Sequence, residues 1–165
     1  MIKAGDVITW KGYDWVVLDT ECNGGVLLLM NKFWDKLPFD ENNSAKWSTS
    51  TLRSTLIEKL LPELGEENLI DHETDMCSDD GDDQYGTVTD KVFILSADEY
   101  RKYRRRKVMP LYDDWWWLCT PWYINPNTGH AYYPRLVGND GVVYGHFAVY
   151  AYGAVPACIV KSGIL

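Results

Sequence analysis

Between residues 123 and 160 the chain contains no Lys, Glu, Gln, Met or Trp, although all five types occur before residue 123. Independent placement would leave such a gap on the order of once in 10⁵ windows at ordinary usage, so something restricts which residues this stretch uses. Other absences exclude whole classes of protein. The four cysteines, Cys22, Cys77, Cys119 and Cys158, form no C-x-x-C pair, which argues against structural zinc and against a thioredoxin-type redox centre. No run approaches the roughly 18 apolar residues of a membrane span, so no membrane insertion is expected. Residues 1–10 lack the basic start and apolar centre of an export signal. The chain is therefore expected to be cytoplasmic as synthesised, reaching a phage particle or cell surface only by another route.

Basic charge is also scarce, with 16 Lys and Arg against 24 Asp and Glu, a formal charge of −8. Binding to phosphate backbones draws its energy from basic groups displacing counterions, so nucleic acid is not expected as a partner. The one basic cluster, Arg104-Arg105-Arg106-Lys107, falls at the end of a predicted helix, where it complements the negative helix terminus and stays solvated. Reduced thiols are expected, with Cys119 and Cys158 as the one pair that core strands could bring close enough for a disulfide.

A chain of 165 residues fits one domain over 1–165 and can bury a core without staples. Its first part, 1–114, reads as scaffold, and 115–160 as an aromatic core strand followed by a display region. Residues 7–10, 13–18 and 26–30 are runs of β-branched, aromatic and aliphatic residues separated by Lys11-Gly12 and Cys22-Asn23-Gly24-Gly25, the pattern of an antiparallel meander. A helix is predicted from about Ser48, with Leu52, Leu56, Leu60 and Leu61 on one face, ending before Pro62. Ser96 and Glu99 have capping-box spacing, so a second helix should run to about Arg104, after a buried strand over 91–95.

Residues 72–86 read as the least structured segment. They hold Asp75, Asp79, Asp80, Asp82 and Asp83 around Gly81 with no local basic residue. Calcium prefers such oxygen clusters, but an EF-hand register on Gly81 puts Met76 at the first ligand and Thr87 at the last. A solvated, mobile acidic loop is the expectation, with calcium at Asp79, Asp80, Asp82 and Asp83 the weaker alternative and no other cofactor.

In the last quarter, Asn139-Asp140-Gly141 marks a turn between two extended segments. From Val143 a period of two assigns Val143, Gly145, Phe147, Val149 and Ala151 to a core face, and Tyr144, His146, Ala148, Tyr150 and Tyr152 to the other. Rings tipped with hydroxyls and an imidazole suit a wet contact surface, because they give area at low entropic cost and their tips hydrogen-bond. Tyrosines also simply favour strands. Trp115, Trp116, Trp117 and Trp122 are expected in the core. Catalysis finds no motif: His72, His130 and His146 lack metal-ligand spacing, and nothing beside Cys119 or Cys158 would activate a thiol.

Gly5-Asp6-Val7-Ile8, Tyr13 to Leu18, Trp47-Ser48 with Leu52-Arg53, Asp90 to Ser96, Trp115-Trp116-Trp117-Leu118 and Gly153 to Ala157 occur in the order seen in a bacterial and phage domain family whose ends usually read WWWLRSPG and GVRPAL. The chain resembles that family over nearly its whole length. The resemblance implies an α+β, C-type-lectin-like fold with two helices, small antiparallel sheets and long irregular loops, similar to formylglycine-generating-enzyme-like domains and to the variable proteins of diversity-generating retroelements. In those variable proteins, adenine mutagenesis of Asn-type codons leaves codons ending in a pyrimidine, which cannot encode Lys, Glu, Gln, Met or Trp. The gap over 123–160 is what such a process would leave behind, around fixed positions such as Val137, Gly141, Val143 and Val149 and variable ones such as Gly145, Ala148 and Ala151. Cys119-Thr120 and Ala154-Val155 depart from the Arg-Ser and Val-Arg usual there. Asn125-Pro126-Asn127 and Gly138-Asn139-Asp140 lack the glutamate and tryptophan of calcium-dependent sugar sites, and no paired catalytic cysteines are present.

The expectation is thus a non-catalytic ligand-recognition module presenting Tyr144, His146, Tyr150 and Tyr152, with His130, Tyr132, Arg135, Asn139 and Asp140 nearby, to a protein or glycan. A formylglycine-generating-type enzyme and a structural part of a phage or surface appendage are the alternatives. Oligomeric state is left open.

Overall fold

The computed structural model describes residues 1–165. Thirteen strands form two sheets and a ribbon, in an α+β arrangement with two principal helical segments. Strands β1 (Val7–Trp10), β2 (Tyr13–Cys22) and β3 (Gly25–Met30) make the expected meander. Its two turns rest on left-handed pairs, Lys11-Gly12 (φ 53° and 81°) and Asn23-Gly24 (φ 51° and 82°), the backbone that a two-residue hairpin requires. After β4 (Asp35–Pro38) comes the first helical segment. Ser50 Oγ accepts from Arg53 N at 3.2 Å and caps α1 (Thr51–Thr55).

That segment does not stop before Pro62. It continues through a π-helical turn, Leu56–Leu60, into α2 (Leu61–Leu64) and ends at Gly65, φ 81°. Leu61 N donates to Leu56 O, five residues back, so the wide turn restarts the helix just ahead of the proline. Pro62 then sits in a first turn, where a missing N–H costs nothing.

Strand β5 (Leu69–Ile70) precedes a second departure from the sequence expectation. β6 (His72–Asp75) pairs with β7 (Thr87–Asp90), so part of the segment read as least structured is an antiparallel ribbon. Its residues are mostly polar and only Thr74 and Asp90 are buried, which is why no apolar alternation announced it. The connection is fastened too: Met76 N donates to Gly86 O and Ser78 N to Asp82 O, both at 2.9 Å. Of the strand expected over 91–95, β8 (Val92–Phe93) is regular, and Ile94 and Leu95 are buried beyond it. Helix α3 (Ala97–Arg105) carries the capping box: Glu99 N donates to Ser96 Oγ at 3.1 Å, and Ser96 N to Glu99 Oε1 at 3.0 Å.

The carboxyl-terminal strands are β9 (Trp116–Pro121), β10 (Pro134–Val137), β11 (Val143–Gly145), β12 (Ala151–Ala154) and β13 (Ala157–Lys161). One sheet runs β1-β2-β3-β13-β5 with β8 also on β13, and the other β11-β10-β9-β12-β4. All pairings are antiparallel except β12 with β9. Since β13 and β9 are central strands, the end of the chain is framework as much as display. Trp15, Trp47, Trp116 and Trp117 are the largest side chains in the shared core. Cys119 and Cys158 are both buried and both free thiols. No helix is long and apolar enough to cross a membrane.

Candidate functional site

Strand β9 delivers Trp122 to the surface just past its last residue. Trp122 lies flat on β11: a Cβ at Gly145 would stand 2.4 Å from its ring. On the neighbouring strand Arg135, paired in register with Gly145, places its guanidinium 4.8 Å from the indole centroid. Trp122 is 45% exposed, so the expectation that it belongs to the core is corrected. A side chain at Gly145 would have to displace the Trp122 ring.

Period-two alternation also ends at Gly145. Residues 146–150 leave the strand because Ala148 is drawn inward: its N donates to Tyr132 O at 3.3 Å and its O accepts from Asp40 N at 3.1 Å. Tyr150 N then turns back to Phe147 O. Ala148 is fully buried, while Phe147 and Val149, assigned to the core face and in the case of Val149 to fixed framework, are 39% and 41% exposed. Ala151 is exposed as well.

The result is one continuous series of rings. Trp122 and Tyr123 each lie about 6 Å from Tyr133, Tyr133 lies 4.8 Å from Phe147, and Phe147 6.3 Å from Tyr150. Tyr150 meets His146 edge-on at 4.7 Å, His146 lies 5.7 Å from Tyr152, and Tyr152 leads to Trp115 and Tyr144. Trp122, Tyr123, Phe147 and Tyr150 are its exposed rings, and Tyr132 and Val149 are exposed as well. Phe147, Val149, Trp122 and Tyr123 are the exposed residues that sequence reasoning missed. The signal for the first two was the Asp40 and Tyr132 backbone contacts, which are non-local and invisible in periodicity.

The expected site residues divide accordingly. Tyr150 is 52% exposed and Tyr132 and His130 are exposed, stacked on each other at 6.0 Å. His146 is half-buried. Its Nδ1 accepts from Phe147 N at 2.9 Å, so in the neutral ring Nε2 carries the proton and is the free donor. Tyr144 and Tyr152 are half-buried supports. Tyr144 stacks on Trp115 at 4.6 Å and donates its hydroxyl to Asp140 Oδ2 at 2.6 Å; Tyr152 stands edge-on to Trp117 at 5.1 Å. That hydrogen bond from Tyr144, helped by Val142 N, lowers the Asp140 pKa and raises that of the tyrosine. Asn139 and Asp140 are exposed at the β10–β11 turn.

Arg135 is buried at 9% exposure, so its guanidinium is largely withdrawn from solvent. It instead holds Trp122 from below and reaches the acidic loop, with Nε 3.2 Å from Asp79 Oδ2, while Arg101 lies 3.5 Å from Asp79 Oδ1. Basic residues distant in sequence therefore do compensate this loop. Asp80 accepts the Ser78 hydroxyl, and Asp82 accepts from Gln84 N and Nε2 at 3.0 Å. With these carboxylates engaged, no three His, Cys, Asp or Glu side chains gather as a cation site would require. Burial pushes the Cys119 and Cys158 thiols well up, away from the nucleophilic thiolate.

Comparisons with protein-family models, with curated proteins and with solved structures find no match.

Proposed function

We propose that the chain is a non-catalytic ligand-recognition module of C-type-lectin-like fold that presents its aromatic carboxyl-end face to a protein or glycan. The observation that carries this is the exposed, contiguous ring series from Trp122 through Phe147 to Tyr150. Exposed apolar surface gathered in one place marks interaction sites, and aromatic residues dominate the energy of such surfaces. Each exposed ring is seated on framework: Trp122 on Gly145 and Arg135, Phe147 on Tyr133, and Tyr150 against His146. Rings held in place lose little freedom on binding.

The test uses a printed glycan array and a phage-displayed random-peptide library, each probed with the full chain and with a Phe147→Ala/Tyr150→Ala variant. Ligands selected by the native chain should bind the variant about 30-fold more weakly or worse, the loss expected for two hot-spot rings. The melting temperature should move by no more than about 3 °C, because both rings are largely outside the core. Equal capture by both proteins, or no selection from either library, rejects the recognition role.

The same face fits the diversified target of a retroelement, as the compositional gap suggests. Tyr and Phe codons always end in a pyrimidine, so the informative exposed positions are Val142, Val149 and Ala151. Their codons should all end in a pyrimidine. Purine-ending codons there would remove the retroelement proposal and leave recognition standing.

A further inference from the structure

Beside the aromatic face, residues from the 42–49 and 129–132 segments, together with Tyr85, line a groove of about 430 Å³. That volume lies within the roughly 300–1,000 Å³ of small-molecule sites. The walls are fixed. Ala45 N donates to Ala131 O at 2.6 Å, and Tyr85 donates its hydroxyl to Gly129 O at 2.8 Å. The buried Asp40 carboxylate accepts from Ser44 N at 2.9 Å and Thr51 N at 3.2 Å, so the loop that carries Asn42 to Lys46 is held at its root.

Two features of this groove suggest a ligand. On a chain with a formal charge of −8, it has no acidic residue in its lining. Its one permanent charge, Lys46, makes no ion pair and lies 5.1 Å from the Tyr85 ring centroid. The remaining lining is amide, hydroxyl and aromatic, from Asn42, Ser44, His130 and Tyr132 among others.

We propose that the groove binds an acidic monosaccharide of the hexuronate class. Lys46 would take the carboxylate, the Asn42 amide and the Ser44 hydroxyl the ring hydroxyls, and an aromatic wall the apolar face of the pyranose. A lone ammonium among many neutral hydrogen-bonding groups matches a ligand with one negative charge and several hydroxyls. A phosphate, with more charge and no ring hydroxyls, is matched better by a guanidinium fork or an array of backbone N–H groups than by one ammonium among neutral groups. The inference rests on the recognition reading to the extent that Tyr132 belongs both to the groove and to the aromatic face.

Titration of the ¹⁵N-labelled full chain with sodium D-glucuronate should give saturable shifts at the Lys46, Tyr85 and His130 amides, with a dissociation constant of about 1 mM. D-Glucose at matched ionic strength should bind about tenfold more weakly, and Lys46→Gln should weaken glucuronate by about the same factor, the expected loss of one charge-assisted contact. Asn42→Asp, a change at an exposed position, should also reduce affinity by adding a negative charge, and serves if Lys46→Gln proves unstable. No saturable shift up to about 50 mM glucuronate overturns the site. Equal binding of glucose, or undiminished binding by both groove variants, overturns the acidic class. The Phe147→Ala/Tyr150→Ala variant should bind glucuronate normally, so that failure of the aromatic face and failure of the groove are read separately.

Discussion

Replacing Trp117 with alanine should lower the melting temperature by about 12 °C. Trp117 is fully buried on the central strand β9. Its ring meets Phe39 edge-on at 5.7 Å and Tyr152 at 5.1 Å, and its Nε1 donates to Leu37 O at 2.9 Å. Truncation opens a cavity flanked by both rings and leaves that carbonyl without its partner. Trp→Ala changes in cores cost about 3–5 kcal/mol, and in a domain of this size each kcal/mol is worth about 2–4 °C. Trp117→Phe should recover more than half of the loss, since it keeps most of the volume and gives up the hydrogen bond. The effect should reach the aromatic face: Tyr152, paired in register with Leu37, loses the ring beneath it, and His146 stands against Tyr152. Calorimetry and near-ultraviolet dichroism measure both parts. A drop of less than about 4 °C would mean that β9 is not the element holding the second sheet together.

Local patterns carried most of the first half of the fold. The Lys11-Gly12 and Asn23-Gly24 turns, the alternating strands around them and the Ser96/Glu99 capping box each depend on neighbours within a few residues, and each stands where periodicity and turn chemistry put it. Pro62 failed as a stop signal because a π-helical turn upstream changed the hydrogen-bond register, a choice that a single proline does not encode. The polar β6–β7 ribbon failed for a different reason. Its residues are selected for pairing with each other and not for a core, so no apolar alternation distinguishes them from a loop.

The candidate site was legible as a region and not as a set of side chains. Composition marked residues 123–160, and Tyr150, Tyr132 and His130 are exposed as expected. Which neighbours face out between 146 and 150 was decided by Asp40, whose backbone reaches across from β4 to Ala148 and inverts the alternation. Arg135 likewise looked like a surface contact until Asp79 and Trp122, each outside its own strand, enclosed it. Long-range backbone contacts and ion pairs override a period of two wherever a strand is short. Here β11 is only three residues long.

Asp90→Ala should cost about 3 kcal/mol, or about 10 °C in melting temperature. Asp90 lies at the end of the polar ribbon, 8% exposed, and joins Trp47, just ahead of the first helical segment, to Arg53 within it. Trp47 Nε1 donates to its Oδ2 at 3.0 Å, while Arg53 approaches Oδ1 with Nε at 2.9 Å and a second guanidinium nitrogen at 2.8 Å. All three residues belong to the motifs on which the family resemblance was drawn, and they meet although Trp47 and Asp90 are far apart in sequence. Removing the carboxylate strands the indole N–H and leaves a partly buried guanidinium uncompensated, which is why breaking such a pair costs more than the pair contributes. Asp90→Asn separates the two contributions: its amide oxygen can still accept from Trp47, so about half of the stability should return, with Arg53 left without its counter-charge. An Arg53→Met/Asp90→Asn double variant should lose less than the sum of the single changes, because neither partner is then left charged and alone. Additive losses would show that Arg53 and Asp90 act independently, and that the ribbon is fastened to the helix by the Trp47 bond alone.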